Sequence, residues 1–194
     1  HRKRRKEYAR QLRRLADIGP VTFEHAVTSA DIAKRFEEFL TLEASGWKGR
    51  RGSAMASEPE IATFCRTAVD ALARRGNASA LTLRVGDRPA AMLLCLHEGH
   101  TAVTWKIAYD ETLAHYSPGA QLMLEAPRFL FADARIQRID SLATPNHPMV
   151  DPIWPDRMPV TTLVVCPRRS RWLGQVGLTT HRAEAQLRKL VHQM

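Results

Sequence analysis

Residues 80–119 read ALTLRVGDRPAAMLLCLHEGHTAVTWKIAYDETLAHYSPG, and this stretch decides the fold. Ala80–Val85 alternates, with Leu81, Leu83 and Val85 on one side, as a strand facing a core does. Gly86-Asp87-Arg88-Pro89 is a tight connection. Ala90–Leu96 is apolar without a break, the pattern of a strand covered on both faces. Glu98-Gly99-His100 turns the chain again. Thr101–Tyr109 alternates, which places Val103, Trp105, Ile107 and Tyr109 on one face and Thr104, Lys106 and Ala108 on the other. The three runs predict an antiparallel meander. Ser117-Pro118-Gly119 then opens a helix, with Ser at the N-cap and Pro in the first helical position. That helix extends to about Ala134, kinked or broken at Pro127.

Outward from this stretch, Arg135–Ser141 is the next strand. Strand, helix and strand over residues 101–141 predict a crossover with parallel pairing. Upstream, Val21–Val27 is a short strand, and Ser29 and Asp31 offer N-cap chemistry for a helix to about Glu43. Its apolar residues Ile32, Phe36, Phe39 and Leu40 fall at helical spacing. Ala44–Ser57 (ASGWKGRRGSAMAS) reads as a loop. Glu58–Arg75 is a second helix, with Ile61, Phe64, Cys65, Ala68, Val69 and Leu72 on one face. Downstream, Pro159–Cys166 reads as a strand and Thr180–Gln193 as a C-terminal helix. The class is α/β (α+β), with a mixed sheet and flanking helices.

The 194 residues carry a formal charge of +9, which by itself suggests an anionic partner. The charge is local. His1–Arg14 (HRKRRKEYARQLRR) holds eight Lys/Arg and one Glu, while the other 180 residues are nearly neutral. Residues 1–17 are therefore expected as a basic helix or linker, and 18–194 as the functional domain. No RNA-binding aromatic motif accompanies the basic run, so nucleic acid is not the expected partner. The longest apolar runs are too short to span a bilayer. The chain opens on His1 rather than Met, as an excised piece does. Cys65, Cys95 and Cys166 are odd in number and scattered, which reads as free thiols of a cytoplasmic protein. His97, His100 and His115 have no metal-ligand spacing, so no metal is expected.

Two helices, a three-strand meander and a helical crossover resemble the GNAT (Gcn5-related N-acetyltransferase) superfamily. Three pieces narrow the likeness: SGWKGRRGSA (Ser45–Ala54), WKIAYDETLAHYSPG (Trp105–Gly119) and the segment Asp140–Arg157 containing PNHPMVDPIWPDR. They resemble the acyltransferase-like domain of cellulose-biosynthesis (CelD-type) proteins, related to FemAB-type transferases. Two features depart from the pattern. The phosphate loop (Q/R)-x-x-G-x-(G/A) is replaced by Tyr116-Ser117-Pro118-Gly119-Ala120, and Leu142–Pro148 stands where relatives carry a glycine-rich turn and a Tyr-Lys pair.

The resemblance implies an acyl-CoA or acetyl-CoA co-substrate and an amine acceptor. A helix N-terminus presents unpaired N–H groups and partial positive charge, so Ser117, Gly119, Ala120 and Gln121 are the candidate pyrophosphate cradle. By the family pattern, backbone N–H groups in Lys106–Tyr109, Ile107 among them, would hold the thioester oxygen. Tyr109 or Tyr116 is then the candidate acid for the leaving thiolate, and Asp110, Asp140 and His147 are candidate bases. Trp47, Lys48 and Arg50, with Trp105, are candidates for the acceptor side. Three readings stay open. One is an N-acyltransferase that serves polysaccharide or envelope biosynthesis. Another is a FemAB-like aminoacyl transferase using tRNA. The last is a degenerate, non-catalytic interaction module.

Overall fold

The computed structural model describes residues 2–161, 163, 165, 177, 179 and 180. The chain forms two compact units, His1–Pro155 and Asp156–Met194. In the second, residues 156–161 have no regular structure, and Gly177, Thr179 and Thr180 are helical. The expected strand Pro159–Cys166 is not seen: residues 159, 160, 161, 163 and 165 have no regular structure, while 162, 164 and Cys166, like the expected helix beyond Thr180, lie outside the described residues.

The first unit holds one five-stranded sheet in the order β1-β2-β3-β4-β5. β1 (Val21–Ala26), β2 (Ala78–Val85), β3 (Arg88–Glu98) and β4 (Thr101–Tyr109) pair antiparallel in turn, and β5 (Arg138–Asp140) pairs parallel to β4. Helices α2 (Ser29–Ser45) and α4 (Pro59–Arg74) cover one face. Helices α1 (Arg2–Ala16) and α5 (Pro118–Leu130) cover the other. This explains the unbroken apolar run in β3. Ala91, Leu93 and Cys95 enter the α1/α5 core, while Met92 and Leu94 enter the α2/α4 core. Phe36 and Phe39, from α2, are fully buried in the latter, and each such ring truncated to Ala costs about 3–5 kcal/mol.

Several local expectations are corrected. The cap of α2 is Thr28, whose Oγ1 accepts from Asp31 N, rather than Ser29 or Asp31. Pro127 is accommodated within α5, which ends at Leu130 instead of running to Ala134. The expected loop 44–57 is largely helical: α2 continues to Ser45, α3 (Trp47–Arg50) adds one turn, and Met55–Ser57 adds a 3₁₀ turn. The basic helix is no free linker. Leu15 is fully buried, Leu12 packs on the same core, and Gln121 Nε2 donates to Tyr8 O at 2.8 Å.

The single-face reading of β4 also fails, for a clear reason. Leu94 pairs with Lys106 and Cys95 with Thr104, so Trp105 is an extra residue with no partner on β3. Such a bulge reverses the alternation. Trp105 and Ala108 face the α2/α4 core, whereas Ala102, Ile107 and Tyr109 face the α1/α5 side.

Two histidines give the fold a pH signature. His25 lies edge-on to Phe129, and His97 Nε2 sits 3.0 Å from Ser79 Oγ. His25 Nε2 and His97 Nδ1 are buried without a hydrogen-bond partner among the described residues. Burial pushes both imidazoles below the ordinary histidine value, with partial relief from Asp133. Below about pH 6.5 the unfolded chain binds protons that the folded chain refuses, so stability falls with pH by up to about 1.4 kcal/mol per unit for each ring. Above that pH the two states bind alike and nothing is lost. The carboxylate of Asp133, held at about 2 by Arg135, titrates in a separate and lower window. Urea unfolding at about pH 7.5 and about pH 5.5 is expected to show the loss, and His97→Gln to reduce it. Equal stability at the two pH values refutes the assignment.

Candidate active site

β4 and β5 pair only from Thr101/Arg138 to Val103/Asp140. Beyond the bulge β4 runs on to Tyr109 with an open edge, and a cleft of about 570 Å³ occupies the gap. Its walls come from α1 (Tyr8), the end of α2 (Leu42, Glu43), α3 (Trp47, Lys48), β4 (Ile107–Tyr109), the start of α5 (Ser117–Ala120) and the His147–Met149 turn.

The backbone on the open edge has a definite sense. Asp110 N–H donates to Ala90 O on β3 at 2.9 Å. Successive residues of a strand point their N–H and C=O groups to opposite sides, so those of Ile107 and Tyr109 face the cleft and those of Lys106 face β3. Lys48 Nζ, donating to Ile107 O at 3.3 Å from the open side, agrees with this parity.

The first turn of α5 is unusual. Ser117 occupies the N-cap position, but with φ 53° and ψ 50° and no side-chain cap hydrogen bond. The Ser cap expected from the sequence is thus absent, because the left-handed backbone carries the hydroxyl away from the helix start. Pro118 has no N–H, and Gln121 N–H donates to Ser117 O. The N–H groups of Gly119 and Ala120 are left without a partner among the described residues. Both residues are buried and line the cleft. Paired donors at a helix start suit an anion. A Cβ on Gly119 would point into the cleft, reaching Ile107 Cδ1 at 3.5 Å and Met149 Sδ at 3.8 Å.

The other candidates fall at several places. Tyr109 and His147 line the cleft. His147 Nδ1 accepts from Met149 N and Val150 N at 3.3 and 3.2 Å, so in the neutral ring Nε2 carries the proton. Tyr116 packs against the α1/α5 core and against the His115 ring, outside the cleft wall. Asp110 caps the 3₁₀ turn Glu111–Tyr116, accepting from Thr112 N and Oγ1 and pairing with Arg88. Burial alone would raise its carboxyl, but these hydrogen bonds and the Arg88 charge outweigh burial and hold it below the usual range. Asp140 accepts from Leu142 N at 2.8 Å in a turn after β5 and does not line the cleft. Arg50 does not line the cleft itself but donates at 2.6 Å to Oε2 of Glu111, which does, and Glu111 Oε1 takes Trp47 N–H. Arg50 and Trp47 together pull the Glu111 carboxyl below its ordinary value. Gln121 turns its side chain to α1, and Trp105 and Lys106 lie outside the cleft wall.

The residue not anticipated is Glu43. Its side chain sits in the cleft wall at about 1% exposure, with Lys48 Nζ at 2.7 Å and Met55 N at 2.8 Å. A signal was present, since Glu43 continues the apolar stripe of Phe36, Phe39 and Leu40, five residues before a lysine. Tyr8 in the wall follows from the same logic applied to the Tyr8, Leu12, Leu15 spacing.

The comparisons bear on the family and the fold. The acetyltransferase (GNAT) domain model matches residues 2–147. The chain belongs to the GNAT acetyltransferase family. No curated protein matches it. Among solved structures of the same fold, an aminoglycoside acetyltransferase from an uncultured soil metagenomic sample, in complex with sisomicin, is 12% identical with a TM-score of 0.50, covering 76% of this chain and 97% of its own. A possible acetyltransferase from Clostridium difficile 630 is 11% identical with a TM-score of 0.52, covering 75% and 99%. AAC(6')-Iy, in complex with a CoA bisubstrate analogue, is 9% identical with a TM-score of 0.51, covering 77% and 99%. Like these, the GNAT chain described here is an α/β protein built on a mixed sheet. No helix among its described residues is long and apolar enough to cross a membrane.

In this GNAT domain Gly49 fixes α3 against α2. A Cβ there would lie 1.8 Å from Ala44 O, a backbone atom that cannot yield without moving the helix end. Gly49→Ala is therefore expected to cost about 1–3 kcal/mol in urea unfolding and to disturb the Trp47 fluorescence. A variant as stable as the parent would show that α3 is not held by this contact.

Proposed function

We propose that the chain transfers an acetyl or other acyl group from acyl-CoA to an amine by direct transfer within the β4–α5 cleft. One observation carries the reading: the unpaired N–H groups of Gly119 and Ala120 and the outward N–H groups of Ile107 and Tyr109 line a single cleft. In this reading Gly119 and Ala120 take the pyrophosphate of the donor, substituting for the missing phosphate loop. The thioester carbonyl meets Ile107 and Tyr109 N–H, which stabilise the oxygen as charge builds on it. The amine nitrogen attacks the thioester carbon, the C–S bond breaks, and the Tyr109 hydroxyl gives its proton to the thiolate. His147, with its proton on Nε2, orients the acceptor by donation, alongside Trp47. The amine enters in its neutral form and releases its extra proton to water, and water in turn reprotonates the Tyr109 phenolate, so that no net proton is gained or lost.

The acceptor is a small amine or an amine on an envelope precursor. The aminoglycoside acetyltransferases among the fold relatives support the first, and the CelD-type likeness of residues 45–54 and 105–119 supports the second. A cytoplasmic setting suits an acyl-CoA donor.

Calorimetric titration tests the donor. Acetyl-CoA and free CoA are expected to bind, and Gly119→Ala to weaken both about tenfold while changing folding stability by no more than about 1 kcal/mol. A chain that binds neither acetyl-CoA nor free CoA overturns the reading.

A further inference from the structure

Glu43 and Lys48 form an ion pair that the scheme above does not use. The Glu43 side chain is 1% exposed and its two oxygens are shared between Lys48 Nζ and Met55 N. An unpaired charge at that depth would be strongly destabilising, so Glu43 requires Lys48. Lys48 does not require burial: its side chain is 23% exposed and lines the cleft. It spans from α3 to β4 and places its ammonium 3.3 Å from Ile107 O.

The consequence concerns the open edge of β4. An unpaired strand edge presents carbonyls and N–H groups alternately, so a thioester oxygen approaching the Ile107 and Tyr109 N–H groups must pass the Ile107 carbonyl oxygen. Two oxygens of like partial charge repel. Lys48 satisfies that carbonyl and offsets its charge, leaving no bare carbonyl between the Ile107 and Tyr109 N–H groups. Two of the three ammonium protons are accounted for by Glu43 and Ile107, and the third has no partner among the described residues.

We infer that the Glu43–Lys48 pair is a positioning device for acyl transfer: it blocks the Ile107 carbonyl and thereby makes the β4 edge selective for the acyl oxygen of the donor. The inference rests on the acyl-CoA reading of the cleft. It assigns Lys48 to the donor's acyl group, whereas Gly119 and Ala120 deal with the donor's phosphates. The two assignments make separable claims. Losing the pair removes the preference for an acyl group and leaves the affinity for CoA in place.

The experiment is amide ¹⁵N NMR on the whole chain titrated with CoA and with acetyl-CoA, in the absence of any amine. For the parent chain, both compounds are expected to shift Gly119 and Ala120, and acetyl-CoA alone to shift Ile107 and Tyr109 downfield. Lys48→Met by itself leaves Glu43 uncompensated and risks the fold. The double variant Glu43→Gln with Lys48→Met removes both charges together and is the main test. It is expected to keep the Gly119 and Ala120 shifts and to weaken the acetyl-dependent binding preference about fivefold, the worth of one ordinary hydrogen bond. Lys48→Arg, which keeps a cationic donor beside Glu43, is expected to restore part of it. Retention of the full acetyl-dependent shift in the double variant overturns the positioning role and leaves the acyl-CoA reading intact. A parent chain that binds CoA without an acetyl-dependent shift at Ile107 and Tyr109 also overturns the role. A parent chain that responds to neither compound overturns both.

Discussion

The parting of β4 from β5 after Val103 is the constraint on which the rest of the site depends. A bulge at Trp105 inserts one residue into β4, and everything C-terminal to it is turned over. Ile107 and Tyr109 are brought to the α5 side, and their backbone N–H and C=O groups point to the edge where β5 no longer pairs. Had the pairing continued, these N–H groups would be spent on the sheet. The parting of β4 from β5 gives up a few ladder hydrogen bonds, each worth about 1 kcal/mol net, and leaves a binding surface on the outer edge of β4.

The parts of the fold that were legible in the sequence are those governed by period and burial. The meander, the apolar β3 and the helix after Tyr116 follow from alternation and from Pro at a helix start, because two closed cores leave little choice of facing for each side chain. The parity of β4 was not legible. A bulge has no compositional mark in this strand, and strict alternation is the natural reading of TAVTWKIAY. The region 44–57 misled for a related reason. Its glycines look like loop residues, yet Gly49 is there because a helix end passes too close for any side chain.

For the site, residue type was a better guide than assumed role. Ser117 stands at the N-cap position expected of it, but the left-handed backbone makes it a turn residue and leaves the helix start bare. Asp110 carries the right chemistry for a base and is committed to a local turn and to Arg88. Glu43 carries no motif, and only its place on an apolar stripe marks it. Tertiary packing decided each of these cases, and packing between distant segments is the information that spacing along one chain does not hold.

The docking of α1 bears on how the protein carries its charge. Because Leu15 is sealed in the core and Gln121 grips the Tyr8 carbonyl, the basic residues of this helix ride on a rigid scaffold instead of a loose tail. The unit His1–Pro155 is thus permanently polarised, with its excess of positive charge concentrated along one helix whose Tyr8 also borders the cleft. The field of this unit has a fixed direction in the unit's own frame, and an anionic molecule near it meets an oriented dipole rather than a diffuse cloud of charge.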